Sequence, residues 1–164
     1  MADTKVDTSR ISFGEMVAAV SAGALVIVML LPWFKLDVES PNALDLDGNA
    51  WQALGFIDVV LFFAAMAIIA LAVVKAVEPD LLGELPWPPA NVAIGAGALA
   101  AALVLFRLIS PPELDFGDFT GFDIGTTREI GAFLGLGASL GMLAGGWLQL
   151  RESAAEPPVA PSGP

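Results

Sequence analysis

Few side chains in this sequence are equipped for chemistry. Among its 164 residues there is no histidine, cysteine or tyrosine. The commonest general base and metal ligand, the thiolate nucleophile and the phenol are therefore all missing. Two ionisable residues stand out by position. Asp58 lies just inside one apolar run, "GFIDVVLF", and Arg107 just inside the end of another, "LVLFRLISPPE". At 1.5 Å of rise per helical residue, each is about 5 Å from the mouth of its run. If the two runs are antiparallel neighbours, carboxylate and guanidinium meet, and their shapes match as a bidentate pair. Such an intramembrane ion pair has two possible uses: part of a proton or ion path, or a lock between adjacent helices. A relay needs titratable groups in series, yet "VVLFFAAMAIIALAVV" follows Asp58 with no polar side chain before Lys75, and elsewhere only Ser21 and Ser139 interrupt the mid-depth apolar sequence. The lock is the reading adopted.

Other polar residues suggest less. Glu15 and Lys75 mark the inner ends of the first two apolar runs, where Glu15 reads as part of a helix cap and Lys75 as a snorkelling side chain, able to join if their helices are neighbours. "DLDGN" at 45–49 invites a calcium reading, but Gly48 comes too early for the loop of a helix-loop-helix site, and the twelfth position from Asp45 is Phe56, where a glutamate is required. A turn leading into a helix cap explains it better. No metal site and no cofactor is expected, and catalysis is not.

The elements that hold these residues follow from composition. Hydrophobic residues make up 56% of the chain and charged residues 15%, with a mean hydropathy of +0.75, more apolar surface than one water-soluble core of this size can hide. The expected fold is an all-α membrane protein: an up-down bundle of four transmembrane helices at about 13–31, 50–77, 90–110 and 128–150, topped by a small extracytoplasmic β-hairpin cap. Each apolar run is close to the ~20 residues that cross a ~30 Å hydrocarbon core, and far longer than a membrane strand. The membrane domain spans 12–152, after a cytoplasmic segment at 1–11 and before a Pro-rich tail at 153–164 expected to be disordered.

Local sequence marks the helix ends. Ser12–Glu15, Asn49–Gln52 and Thr126–Glu129 each have the spacing of a capping box. The third helix starts at "PWPP", where Pro88 or Pro89 suits a first turn. Pro32, Pro79 and Pro111 close the first three helices, since the residue before proline leaves helical geometry. Trp33 and Trp51 flank the first outer loop, while Trp87 and Trp147 lie at the other ends of the helices, so all four read as interface anchors. Lys5 and Arg10 precede the first helix and favour both termini in the cytoplasm, in the inner membrane of a multi-pass protein. With no small-residue cleavage site in "LLPWFKLD", that helix reads as an uncleaved signal anchor.

The outer loops, 34–49 and 111–127, are acidic and alternate hydrophobic with acidic residues in "KLDVE", "LDLD" and "LDFGDF", a period-two pattern that predicts two hairpins turning at Pro41-Asn42 and Gly121. The formal charge of −11 resides mainly between the apolar runs and makes nucleic acid an unlikely partner. The inner loop, "EPDLLGELPWPP", serves only to join helices. Helix packing is assigned to small residues: Gly131 and Gly135, then Gly137, Gly141 and Gly145 in the fourth helix, and Gly97 in the third. These can serve packing within the chain or a homo-oligomer.

Four stretches together carry a family resemblance: "LLPWF", "AWQALGFIDVVLF", "LVLFRLISPPE" and "REIGAFLGLGASLGMLAGGWLQLRE". In order and spacing the chain resembles a group of small uncharacterised four-span integral membrane proteins of high-GC Gram-positive bacteria of the actinobacterial type. That resemblance implies an inner-membrane four-helix bundle and no particular activity. A distant likeness to animal claudins is one of topology and a strand-bearing first outer loop with a tryptophan; their paired loop cysteines have no counterpart. The function expected is therefore non-enzymatic: a structural or accessory protein in the lipid bilayer, presenting its acidic cap to an envelope or membrane-protein partner. A small oligomeric transporter or channel is the alternative.

Overall fold

The computed structural model describes residues 11–38, 46–53, 55–110 and 124–155. Residues 1–10 of the expected cytoplasmic segment 1–11, the turns at Pro41-Asn42 and Gly121, Asp45 of "DLDGN" and the tail from 156 lie outside the described residues. Four principal helices run through the described chain: α1 (Phe13–Val28), α3 (Phe56–Val77), α4 (Pro89–Ile109) and α5 (Ile130–Ala155). They are joined by β1 (Pro32–Val38), β2 (Leu46–Asn49), a one-turn α2 (Ala50–Ala53), a 3-10 turn over Pro79–Glu84, and β3 (Ile124–Arg128). Helices α3, α4 and α5 are long and apolar enough to cross a membrane, whereas α1, at 16 residues, is a shorter apolar helix.

The helices pack side by side in the cyclic order α1, α3, α4, α5, with α5 lying closely along both α1 and α4 and α3 more loosely attached. The buried interior is dominated by small and medium side chains, among them Ala18, Ala22, Leu25, Leu61, Ala65, Val104 and Met142. The strands form one antiparallel sheet in the order β2-β1-β3, so both loops contribute to it through the central strand β1. Lys35 is opposite Asp47 on one side and Thr127 on the other.

Several boundaries depart from expectation for identifiable reasons. Helix one was expected to reach residue 31, but α1 ends at Val28. Leu30 and Leu31 make tight i−3 bonds to Ile27 and Val28, and Pro32 opens β1. The helix expected over 50–77 is divided: α2 stops after one turn, and Gly55, at φ 60°, a backbone conformation favouring glycine, precedes α3. The capping box at Thr126–Glu129 is replaced by strand, and α5 begins at Ile130. At its other end α5 runs through 153–155, residues expected in the disordered tail, because Glu152 bonds to α1 and Ser153 Oγ bonds back to the Gln149 carbonyl. The Ser12 box forms in full: Ser12 Oγ accepts from Glu15 N–H, and the Glu15 carboxylate accepts from Ser12 N–H. Pro89 opens α4 and Pro79 follows α3, as their ring chemistry requires.

Candidate functional site

Polar side chains collect at the two ends of the bundle, about 25 Å apart along α3 between Asp58 and Lys75 at 1.5 Å per residue. At the end away from the sheet, Glu15 is the hub. Lys75 Nζ straddles its carboxylate at 2.6 and 2.7 Å, Gln149 Nε2 donates to Oε1 at 2.7 Å, and Ser12 N–H donates to Oε2 at 2.8 Å. Next to it, the Glu152 carboxylate accepts from Gly14 N–H at 3.2 Å, satisfying another of the free amides at the start of α1. Glu15 thus joins α1 to α3 through an ion pair and to α5 through an amide. Its side chain is 8% exposed and that of Lys75 30%. A carboxylate so fully bonded is an acceptor already in use, suited to clamping helices and ill suited to taking a proton from a substrate. Gln149 and Glu152 were not singled out in the sequence; the signal was there in "QLRE", two polar groups three apart at the end of an apolar helix.

At the sheet end, Asp58 sits in the first turn of α3 and is 1% exposed. Arg107, in the last turn of α4, is near enough to act on it electrostatically. Asp58 Oδ1 and Arg107 Nε are both buried, and neither atom has a hydrogen-bond partner among the described residues; Arg107 does make a further interaction. The structure therefore brings the two sequence-selected charges into one neighbourhood. Arg128, in β3, donates from Nε to the Leu108 carbonyl, tying the sheet to one of the open carbonyls that end α4.

Trp33 is the main correction to the anchor reading. It is fully buried, and its indole Nε1 donates to the Val28 carbonyl at 2.8 Å, capping α1. The register explains its direction. Pro32 pairs with Asn49 and Phe34 with Gly48, leaving Trp33 as the extra residue of a β-bulge. A bulge re-aims a side chain, and consecutive Trp33 and Phe34 are both buried, which regular alternation would forbid. The ring lies against Gly135, where an added Cβ would stand 2.6 Å from Cζ2, and against Gly131, where it would stand 2.7 Å from Cδ1. The other tryptophans are substantially exposed: Trp51 beside Phe62 at the sheet end, and Trp87 and Trp147 at the other, with the Arg151 guanidinium 4.1 Å from the Trp147 ring centroid.

The glycines sort by what faces them. Gly131 and Gly135 make room for Trp33; Gly141 meets the Ser21 side chain; Gly145 meets Ala18 of α1; and Gly97 of α4 meets the backbone of α5 at Leu143. Gly137 differs: among the described residues nothing lies within 4 Å of a Cβ built there, so it closes no seam inside the described bundle. Two close-approach glycines were missed: Gly14, against the backbone at Gln149, and Gly146, against α4 at Ala93 and Ile94. The adjacent pair Gly145-Gly146 lets α5 touch α1 on one side and α4 on the other. A side chain on either would separate backbones in contact.

Among the described residues, no three His, Cys, Asp or Glu side chains stand together in a way that could hold a metal ion. The chain matches no protein-family model and no curated protein sequence.

Proposed function

We propose that the chain is a non-enzymatic integral protein of the cytoplasmic membrane, with four spans and both termini inside, that holds a small acidic sheet rigidly outside as a contact surface for an envelope or membrane-protein partner. The observation that carries this reading is the anchoring of the sheet. β1 takes strands from both loops, and its bulge drives Trp33 into the helix ends, so the sheet and bundle form one solid piece. Three apolar helices of spanning length support the membrane location, and Lys5 and Arg10 before the first helix support the orientation. The polar groups at both bundle ends belong to caps and clamps. The test uses affinity purification in mild detergent. One envelope protein should co-purify with the wild-type chain and be lost when Asp37, Asp45 and Asp47 become asparagine; an unchanged partner set would refute recognition by the acidic surface.

A second reading, an oligomeric transporter, draws on one observation: Asp58 is buried beside Arg107 with one oxygen unbonded. Against it, α3 offers no polar side chain between Asp58 and Lys75. Ion flux in proteoliposomes that disappears in Asp58→Asn would replace the accessory reading with this one.

A further inference from the structure

The geometry points to a binding site for the acyl chain of a phospholipid whose headgroup carries an ammonium, in the apolar groove where α3, α4 and the loop between them meet at the bundle end opposite the sheet. The groove measures about 420 Å³. It exists because α3 places two small side chains, Ala67 and Ala70, on the stripe that continues to Val74, across from Val92 of α4, and because α3 and α4 pack loosely. The loop supplies the remaining wall. Its 3-10 turn is fixed by Leu81 N–H on the Glu78 carbonyl and Leu85 N–H on the Leu82 carbonyl, and it brings Leu82 and Trp87 to the groove. The site requires only that α3 and α4 span a bilayer, and does not depend on the accessory role proposed above.

From Ala67 to the end of α3 at Val77 is about 15 Å at 1.5 Å per residue, half of the ~30 Å hydrocarbon core, so the groove serves one leaflet. An acyl chain entering from the interface fills that depth, whereas a partner's transmembrane helix crosses the whole core and would meet the loop wall. Leu81, Leu85 and Trp87 of the loop are exposed, which suits a segment lying among headgroups. The mouth is acidic. Glu78 directly follows α3 and Asp80 directly precedes Leu81; both are exposed, and neither has an ion-pair partner among the described residues. The basic side chains described at this end are occupied, Lys75 by Glu15 and Arg151 by the Trp147 ring. Two carboxylates accept hydrogen bonds from a primary ammonium and repel a net-anionic headgroup or a fatty-acid anion. The exposed Trp87 indole supplies a donor for the phosphate or ester oxygens. The loop then does more than join two helices.

The test places the full chain in vesicles of equal phosphatidylethanolamine and phosphatidylglycerol. A photoactivatable diazirine is carried at the same acyl position of one lipid or the other, and adducts are mapped by peptide mass spectrometry. Phosphatidylethanolamine adducts should concentrate on residues 67–74 and 81–87, several-fold above phosphatidylglycerol adducts there, while Leu150, exposed on α5 at the same end, takes both alike. Ala70→Phe, which fills the groove from an exposed position, should cut the groove adducts several-fold. Glu78→Gln with Asp80→Asn should remove the preference and leave the chain adducts in place. Equal labelling by the two lipids in wild type, or groove adducts undiminished in Ala70→Phe, would overturn the site. If Ala70→Phe fails to fold, the carboxylate variant decides alone, and a preference that persists in it overturns the headgroup assignment. A dimer that Ala70→Phe separates would identify a second copy of the chain as the occupant, and would overturn the lipid site as well.

Discussion

Gly135→Ala should destabilise the protein when Trp33 is present and cease to do so when it is absent. The added Cβ would lie 2.5 Å from Cη2 and 2.6 Å from Cζ2 of the indole, far inside the ~3.5–4.0 Å at which carbons pack best. The ring is fully buried and pinned by its bond to Val28, so it has little room to yield, and overpacking of this kind costs about 1–3 kcal/mol. Trp33→Ala opens a large void and should cost about 3–5 kcal/mol, leaving the Val28 carbonyl with the Leu31 N–H and without the indole donor. With the ring gone, the Cβ enters vacated space, and the helical preference of alanine over glycine, up to ~1 kcal/mol, becomes visible. The same substitution therefore changes sign between the two backgrounds. Thermal unfolding in mild detergent reads this, at roughly 2–4 °C per kcal/mol for a chain of this size. Gly137→Ala, with nothing within 4 Å of its Cβ, is the control and should be neutral or stabilising in both. An equal loss for Gly135→Ala in wild type and in Trp33→Ala would refute the socket.

At the opposite end, Lys75→Met should lower Tm more than Glu15→Gln. Glu15, 8% exposed, cannot reach water when it loses its counter-charge, whereas Lys75, 30% exposed, can turn outward; stranding one charge of a buried pair costs about 3–5 kcal/mol, and the reverse order would contradict the burial. Gly145→Leu should prevent close packing of α1 on α5 and abolish the folded species by size-exclusion chromatography in detergent, while Gly137→Leu leaves the elution unchanged. Asp58→Ala and Arg107→Ala should each lower Tm, and the double variant should be no worse than the worse single; additive losses would show that the two charges do not depend on each other.

Apolar run length and proline placement made the four helices legible, because a membrane-length run and a missing N–H act locally. The Ser12 box was readable for the same reason: both partners lie within one turn. Strand alternation in the loops was visible as well, but the three-stranded order was not, since β1 pairs with a strand that begins some 86 positions after it ends. Trp33 was misread because tryptophans near the ends of apolar runs commonly anchor at interfaces, while a bulge arises from pairing between strands and leaves no mark in a single one. Gly137 faces no seam within the described bundle, because a four-residue spacing defines a stripe without saying what faces it. Gln149 became meaningful only when α5 brought it to Glu15, 134 positions away.

The placement of α5 has a consequence for biogenesis. The helix closest to two neighbours is made after the other three, and its glycines close the seams against both α1 and α4. Until it arrives, the earlier helices cannot complete their docking. A nascent chain stopped before residue 130 would lack the glycine contacts, the Trp33 socket and the Gln149 bond together. Completion of the bundle thereby waits on the synthesis of α5, and a product truncated before it exposes unfilled grooves along α1 and α4.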